Sequence, residues 1–207
     1  MTMTPEEWQT ACAGLAKADP VMGGLIERFV GSRLVTRGQP FETLLRAIVG
    51  QQISLKAADA IWGRLSALVR CDSPESVLIA SGDSLRQTGL SARKVDYVQD
   101  LARHFVDGRI DPRAFARLSD EDITRELVAV RGIGRWTAEM FLIFHLVRPD
   151  VWAIDDIGLQ RAVSELYLGG LRPTPAALRE VGERWRPWRS VASWYLWRHV
   201  EPVEVVY

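Results

Sequence analysis

A short turn with two glycines carries the clearest local chemistry in the sequence. Gly132 and Gly134 lie between Arg131 and Arg135, at the start of a segment with helical periodicity. Glycine in a helix interior is about 0.5–1 kcal/mol less favourable than alanine, so a pair of glycines indicates a constraint on the backbone. Such a turn leaves backbone N–H groups without hydrogen-bond partners at a helix N-terminus, where the helix dipole favours binding of an anion. The turn predicts a phosphate site; the alternative is a tight connection between two helices.

A pair of acids, Asp155 and Asp156, stands directly before an amphipathic segment that begins at Ile157. Aspartate is a preferred N-cap, and acids are stabilised near the positive end of a helix. Two neighbouring acids cannot both cap one helix in the same way. The local pattern therefore leaves a second role open for one of them.

The elements that must position these residues are predicted to be helices. Apolar residues recur three and four apart, as in Phe41, Leu44, Leu45 and Ile48, and no segment alternates with period two. Thr4, Asp19 and Ser119 precede helix-starting segments as N-caps. The sequence predicts an all-α protein, with helices after Thr4 and Asp19, around 41–49 and 57–68, and at 74–80, 92–105, 119–129, 135–147, 156–167, 174–186 and 190–199. Turns are predicted at 37–40, 82–91, 106–112, 148–154 and 169–175.

Composition sets further bounds. The 207 residues include 26 basic and 26 acidic side chains, so net charge gives no sign of a polyanionic partner, and only a local patch could bind one. Cys12 and Cys71 match no zinc or iron–sulfur spacing, and we expect both to be reduced thiols. The N-terminus lacks the pattern of a secretory signal, and the apolar stretch at 140–147 is too short to span a bilayer.

Several motifs in a fixed order resemble the helix-hairpin-helix superfamily of DNA glycosylases, which includes endonuclease III and the alkylbase glycosylases. The hairpin is Val-Arg-Gly-Ile-Gly-Arg-Trp-Thr-Ala at 130–138, and a loop at 147–154 leads from it to the acid pair. The likeness extends to Phe41-Glu42-x-Leu44 before Gln-Gln-Ile-Ser at 51–54, to Gly-Leu-Ser-x-x-Lys at 89–94, and to Trp-Arg-Pro-Trp-Arg-Ser at 185–190. It covers about residues 40–200 and is strongest toward the alkylbase branch.

The resemblance implies two helical subdomains with a substrate cleft between them. We expect residues 38–150 to form a six-helix barrel-type subdomain that contains the hairpin at about 119–147. Residues 1–37 with 151–207 would form the second. A larger relative carries an N-terminal α/β domain, and the roughly 35 residues before the shared region are too few for it, so a short form is expected.

The resemblance also implies a monofunctional glycosylase that removes alkylated purines, of the 3-methyladenine and 7-methylguanine type, in base-excision repair. Asp156 matches the catalytic aspartate, and Asp155 is assigned to capping or orienting. Trp136 stands where strand-cleaving members carry a Schiff-base lysine, which tryptophan cannot replace. Trp136, Met140 and Trp197 match the base pocket; Met140 replaces a tyrosine of the relative. Packing in the core beside Trp194 and Leu196 is the alternative for Trp197.

Duplex DNA with damaged bases is the partner that the resemblance implies. Gln52, with Gln51 and Ile53, matches the wedge that fills the gap left by an extruded base; alternatively both glutamines bond to backbone at a turn. The expected phosphate-binding residues are Arg131, Gly132, Gly134, Arg135, Thr137 and Lys94. Six arginines between 172 and 198 add basic charge, and the acids at 120–122 are expected to lie away from this side.

No required cofactor, zinc or iron–sulfur cluster is expected. Carbonyls of Val128, Val130 and Ile133 match those that hold a Na⁺ or K⁺ ion against phosphate in relatives. We expect a monomer in the bacterial cytosol, at the nucleoid, without membrane association. Two alternatives remain: a glycosylase for another damaged base, and a helix-hairpin-helix protein that binds DNA without catalysis.

Overall fold

The computed structural model describes residues 3–36 and 38–201. Across these ranges the secondary structure is helical and contains no strand, which confirms the all-α prediction. The twelve α-helices found there are α1 Pro5–Ala18, α2 Pro20–Arg28, α3 Pro40–Gly50, α4 Leu55–Leu68, α5 Pro74–Ile79, α6 Gly82–Gln87, α7 Ala92–Val106, α8 Asp120–Val128, α9 Arg135–Met140, α10 Ile157–Tyr167, α11 Pro175–Glu183 and α12 Arg189–Val200. In the described chain, none of them is long and apolar enough to cross a bilayer.

Side-chain caps fix the helix starts that the sequence indicated. Thr4 and Glu7 form a reciprocal capping box at α1, each side chain accepting a hydrogen bond from the other's backbone N–H. Asp19 accepts from the N–H groups of Val21 and Met22 at the start of α2. Ser119 caps α8 by accepting from the N–H of Asp122. These starts follow from local chemistry alone.

The differences from prediction lie in short elements and helix ends. Helix α6 occupies part of the segment 82–91 that was predicted as a turn, because Ser81 caps it and one apolar side chain, Leu85, anchors it. Helix α9 ends at Met140 and continues as a π-helical turn, Phe141–His145, instead of as regular helix to 147. A 3₁₀ turn, Pro112–Ala114, begins at the last residue of the loop predicted at 106–112.

Backbone contacts divide the chain into two units. The described residues before 37 and from 142 onward form what we call the split unit, and residues 38–141 form the central unit. Residues 142–150, which the sequence analysis placed with 38–141, group with the split unit. This segment follows the end of α9, and its Phe144 packs on Trp197 of α12. Residues 1–2, 37 and 202–207 of the expected subdomains lie outside the described residues.

Aromatic side chains around a buried aspartate build the split unit. Trp185 is fully buried and packs edge-on against Trp152 and Tyr167, with ring centroids 5.2 and 5.5 Å away. Its indole N–H and the Tyr167 hydroxyl both donate to Asp19 Oδ2 at 2.9 Å. Burial of a carboxylate is unfavourable unless hydrogen bonds compensate it, and these donors do so. The acid that caps α2 is thereby joined to the C-terminal part of the chain.

Helix α7 organises the central unit. It packs against α3, which buries five apolar side chains, and against α5. Phe41 of α3 meets Phe105 of α7 edge-on at a centroid distance of 5.2 Å. Another face of α7 lies against the turn between α8 and α9, the helix-hairpin-helix of the sequence analysis.

The two glycines of that turn have different physical reasons. Gly132 has φ +84°, and a Cβ at this position would overlap the ring of Tyr97 on α7. The fold itself therefore requires glycine there. Gly134, the N-cap of α9, has an ordinary φ of −94°, and a Cβ there would meet no atom within 4 Å. Glycine is also a favoured N-cap residue, and the backbone at Gly134 is open to an approaching group.

This difference predicts opposite outcomes for two alanine variants. Gly132→Ala should lower the free energy of unfolding by at least about 1–3 kcal/mol, because it adds both a left-handed alanine and a steric overlap. For Gly134→Ala the change should be below about 1 kcal/mol, because a weaker cap is offset by a less flexible unfolded chain. Urea unfolding followed by circular dichroism measures both. Equal losses in the two variants would contradict this assignment.

Candidate active site

Asp156 is held from two directions at the start of α10. Its Oδ1 accepts a hydrogen bond from the backbone N–H of Leu159 at 2.8 Å and another from the indole Nε1 of Trp197 at 2.8 Å. The side chain is 8% exposed. The first bond is the N-cap of α10, and the second connects the carboxylate to α12. Both bonds restrict the rotation of the carboxylate, which gives it one defined direction.

The N-cap falls on Asp156 and not on Asp155. Asp155 was expected to cap or orient, but it is exposed, and Asp156 stands three residues before the N–H that it caps. Capping and the implied catalytic role therefore coincide in one residue. The sequence could not show this because either acid alone satisfies the preference for aspartate before a helix.

The indole of Trp197, which donates to the Asp156 carboxylate, is held in place by ring stacking. Its ring stacks on Phe144 with centroids 5.1 Å apart and planes inclined by 28°, and it is half-buried. The alternative for Trp197 was a place in the core beside Trp194 and Leu196. Those two residues are buried, whereas Trp197 is only half-buried. Trp197 thus combines a packed face with a hydrogen bond to Asp156. Phe144 was not predicted for the site, because the sequence marks it only by its four-residue spacing from Met140.

The backbone that leads toward Asp156 is irregular and strained. After the π-helical turn Phe141–His145, Val147 adopts φ +51° although it is β-branched, and the Arg148 N–H closes the turn onto the Leu142 carbonyl at 2.9 Å. A left-handed conformation at such a residue costs about 1–3 kcal/mol and persists only where surrounding structure enforces it. Val147 is buried, which provides that enforcement. Strain and π-helical turns concentrate at functional sites, which is consistent with a site at Asp156.

In the central unit, α9 presents two residues predicted for the base pocket. Trp136 lies in the first turn of the helix and is 40% exposed, whereas Met140, one turn later, is 7% exposed. Of these two side chains, Trp136 is the one that offers an open aromatic surface to a planar ligand. A single exposed aromatic side chain does not by itself mark a site, so the binding role of Trp136 stays a prediction.

The segment predicted as a wedge separates into two kinds of residue. Gln51 donates from Nε2 to the carbonyl of Gly132 at 2.8 Å, which ties the segment to the hairpin. Gln52 is exposed with φ +57°, and Ile53 and Leu55 beside it are also exposed. The alternative of backbone bonding holds for Gln51, whereas Gln52 is exposed and its role as a wedge stays a prediction. Leu55 is an exposed apolar neighbour that the sequence analysis did not single out.

Three residues predicted to bind phosphate are buried or engaged by groups of the protein, and their contact with phosphate stays a prediction. Lys94 donates from Nζ to the carbonyls of Val49 and Gln51 at 2.7 and 2.8 Å. Thr137 is buried. Arg135 pairs with Glu121 at 2.9 Å and with Glu139 at 3.2 Å, so the acids at 120–122 do not all lie away from the hairpin. The sequence spacing showed these charges but not which of them satisfy one another.

The exposed part of the hairpin retains features of an anion site. Arg131 and Gly134 are exposed, and no side chain caps the N-terminus of α9. The Arg131 N–H is bound by Asp100 Oδ2 at 2.9 Å, which fixes the turn to α7. Arg131 also lines an open cavity of about 490 Å³ together with Arg109, Arg125 and two acids, Asp100 and Glu126, so the cavity wall carries both signs of charge. Neither of these two arginines was predicted for the site.

The basic stretch between 172 and 198 is partly neutralised within the split unit. Arg189 binds the Asp150 carboxylate with Nε at 2.7 Å, and Arg186 binds it with Nη1 at 3.0 Å. Arg198 lies over the rings of Phe29 and Trp194 at 5.3 and 6.0 Å. Fewer arginines of this stretch are therefore available to a polyanion than the sequence suggested.

The carbonyls predicted to hold a monovalent cation lie at the hairpin. The Val130 carbonyl accepts a hydrogen bond from the Ile133 N–H at 3.1 Å. A carbonyl oxygen has two lone pairs, so this bond leaves it able to bind an ion. The cation site formed with Val128 and Ile133 stays a prediction.

The chain is similar to known repair enzymes over almost its whole length. DNA-3-methyladenine glycosylase 1 of Schizosaccharomyces pombe is 34% identical over 212 residues, which cover 96% of this chain and 93% of that protein. The structure of a DNA-3-methyladenine glycosidase from Bacillus halodurans is 36% identical with a TM-score of 0.86, covering 92% of this chain and 89% of that one. A 3-methyladenine DNA glycosylase of S. pombe in complex with abasic DNA is 31% identical with a TM-score of 0.79, covering 96% and 100%.

The family model described as HhH-GPD superfamily base excision DNA repair protein matches residues 45–187. This range includes the exposed Gln52, the hairpin with Trp136, and Asp156. With a match over most of its length and with the site residues inside it, the chain belongs to the HhH-GPD superfamily of base excision DNA repair proteins.

Proposed function

We propose that this protein is a DNA glycosylase that hydrolyses the N-glycosidic bond of alkylated purines, of the 3-methyladenine and 7-methylguanine type, as the first step of base-excision repair. The observation that carries the proposal is the carboxylate of Asp156, fixed by the Leu159 N–H and the Trp197 indole in a member of this superfamily. Relatives named DNA-3-methyladenine glycosylase support the choice of alkylated purines.

A single carboxylate is sufficient for this chemistry. As the bond between C1′ and the purine nitrogen breaks, positive charge develops on the sugar, and Asp156 stabilises it electrostatically. The bonding electron pair leaves with the purine and neutralises the positive charge that alkylation had placed on its ring. Water forms the new bond to C1′ and gives its proton to Asp156. A base that departs as a neutral molecule needs no general acid, in contrast to the paired carboxylates of sugar hydrolases.

Trp136 supplies recognition of the extruded base in this proposal. Its exposed indole stacks on the purine, and a positively charged ring is attracted to the aromatic face. Tryptophan has no amine, so it cannot form the Schiff base through which strand-cleaving members act. The reaction therefore ends with an intact strand that carries an abasic site.

Duplex DNA with a damaged base is the proposed partner. The protein is proposed to bind it as a monomer and not to associate with membranes. Gln52 fills the gap that the extruded base leaves, and phosphate approaches the hairpin at Arg131 and Gly134, where the backbone is open. A Na⁺ or K⁺ ion on the carbonyls of Val128, Val130 and Ile133 would add positive charge at the same phosphate. Met140 stands where the relative has a tyrosine, and this difference would change which damaged bases the pocket accepts.

Replacing Asp156 by asparagine separates chemistry from folding. Asparagine caps helices as well as aspartate does, and its Oδ1 can accept the same two hydrogen bonds. Asp156→Asn should lower the single-turnover release of 7-methylguanine by at least about a hundredfold, with DNA affinity and melting temperature retained. Asp155→Asn, at the exposed neighbour, is the matched control and should release base at the wild-type rate. Unchanged release by Asp156→Asn would remove Asp156 from the mechanism.

The indole hydrogen bond can be tested with two tryptophans of the same helix. Trp197→Phe keeps a ring to stack on Phe144 but loses the bond to Asp156, and should slow release about tenfold, as expected for a hydrogen bond to a charged group. Trp194→Phe is the control, since the buried Trp194 Nε1 has no hydrogen-bond partner among residues 3–36 and 38–201. Equal effects of the two substitutions would show that packing alone matters.

Borohydride trapping tests the absence of strand cleavage. Wild-type protein mixed with lesion-containing duplex and sodium borohydride should give no covalent protein–DNA complex, because no lysine stands at position 136. Trp136→Lys should release base more slowly than wild type, since stacking is lost. A trapped wild-type complex would contradict the monofunctional mechanism.

A further inference from the structure

The ammonium group of Lys94 is enclosed by backbone carbonyls. It donates to the Val49 carbonyl at 2.7 Å and to the Gln51 carbonyl at 2.8 Å, so two of its three N–H bonds are committed within the central unit. The carbonyls at a helix C-terminus carry partial negative charge, and Lys94 meets them where α3 ends. Partial burial lowers the pKa of this lysine, which is consistent with an internal position.

The residue that follows these contacts is the strained one. Gln52 adopts φ +57°, which is uncommon outside glycine and must be enforced by its surroundings. The carbonyl just before it is held by Lys94, and the side chain of Gln51 is held by the Gly132 carbonyl at 2.8 Å. Both bonds restrain the segment from which Gln52 projects, while the Gln52 side chain is exposed.

Helix α7 connects this segment with the hairpin. Lys94, Tyr97 and Asp100 are spaced three residues apart and therefore lie along one side of the helix. Lys94 holds the segment before Gln52, Tyr97 packs over Gly132, and Asp100 binds the Arg131 N–H. One rigid element thus supports both the exposed Gln52 and the turn that faces DNA phosphate in the proposed function.

We propose that Lys94 is a positioning residue for Gln52: by holding the Val49 and Gln51 carbonyls it keeps Gln52 in its projecting, left-handed conformation, and it does not bind DNA phosphate. The proposal rests on the proposed glycosylase function, in which Gln52 enters the duplex. Loss of the ammonium group frees the end of α3, and Gln52 relaxes toward an ordinary conformation. Extrusion of the base from a paired duplex then becomes less favourable.

A double-mutant cycle tests this role directly. Single-turnover release of 7-methylguanine from a fully paired duplex is measured for wild type, Lys94→Met, Gln52→Ala and the double variant. Lys94→Met should slow release by at least about tenfold, as expected for loss of a positioning contact. In the Gln52→Ala background the same substitution should have almost no further effect, because the residue that it positions is absent. Additive losses in the double variant would overturn the proposal.

The salt dependence of DNA binding separates positioning from phosphate contact. Removing a lysine that neutralises one phosphate reduces the slope of log affinity against log salt by about one. Lys94→Met should keep the wild-type slope, and a slope reduced by one would overturn the proposal. Arg93→Met, at the exposed preceding residue of α7, controls for loss of one positive charge and should show no coupling to Gln52.

If urea titration shows that Lys94→Met is not folded, a variant with a neutral donor at this position takes its place. Lys94→Gln retains N–H groups without the charge, so positioning predicts release between that of Lys94→Met and wild type, and coupling to Gln52. If Lys94 instead contacts DNA through its charge, Lys94→Gln should release base as slowly as Lys94→Met, and its DNA affinity should depend less steeply on salt. Wild-type protein that released no alkylated purine would refute the glycosylase function itself, whereas active wild type with uncoupled variants would refute only the role of Lys94.

Discussion

The carboxylate of Asp156 is the point at which fold and chemistry depend on the same atom. Its Oδ1 caps α10 and accepts the indole N–H of Trp197 on α12, so the two helices are joined through the group that acts on the sugar in the proposed mechanism. A buried carboxylate is stable only when hydrogen bonds replace its hydration, and these two bonds serve that purpose. The irregular backbone between 141 and 148 leads the chain toward this position. A rigid carboxylate needs little reorganisation as charge develops on a substrate.

The two glycines of the hairpin differ in their steric surroundings. Gly132 is required by the protein's own packing, since Tyr97 occupies the space of a side chain, whereas the space at Gly134 is open. Of the two glycines in this Gly-x-Gly pattern, one is required by packing, and the other leaves the backbone open to the phosphate of the proposed function. Arg135, Arg186 and Arg189 are paired internally, so the proposed DNA binding would use main-chain groups and a few exposed arginines more than net charge.

Much of the helical architecture could be predicted from the sequence because it is encoded locally. Thr4, Asp19 and Ser119 begin helices as their side chains indicate, and the order of motifs led to the superfamily that the comparisons establish. Short α6 was missed because it buries one apolar side chain and shows no periodicity. The π-helical end of α9 was missed because its residues are also compatible with regular helix.

The partners of charged and polar side chains could not be predicted in the same way. Lys94 looked like a phosphate ligand because its charge is visible in the sequence, while the carbonyls that bind it come from a segment more than forty residues earlier. Gln51 and Gln52 are identical in type and adjacent, yet one bonds to Gly132 and the other is exposed. Such choices arise from tertiary packing, which spacing along the chain does not record.

The central claim is that this carboxylate acts on purines that leave as neutral molecules after carrying a positive charge. The most direct test is single-turnover release from a panel of duplexes, each with one defined lesion, comparing 3-methyladenine and 7-methylguanine with uncharged purine lesions. The account predicts rapid release of the cationic bases, intact strands, and slower release of the neutral lesions. Release of neutral lesions alone, or release of no cationic purine, would contradict it.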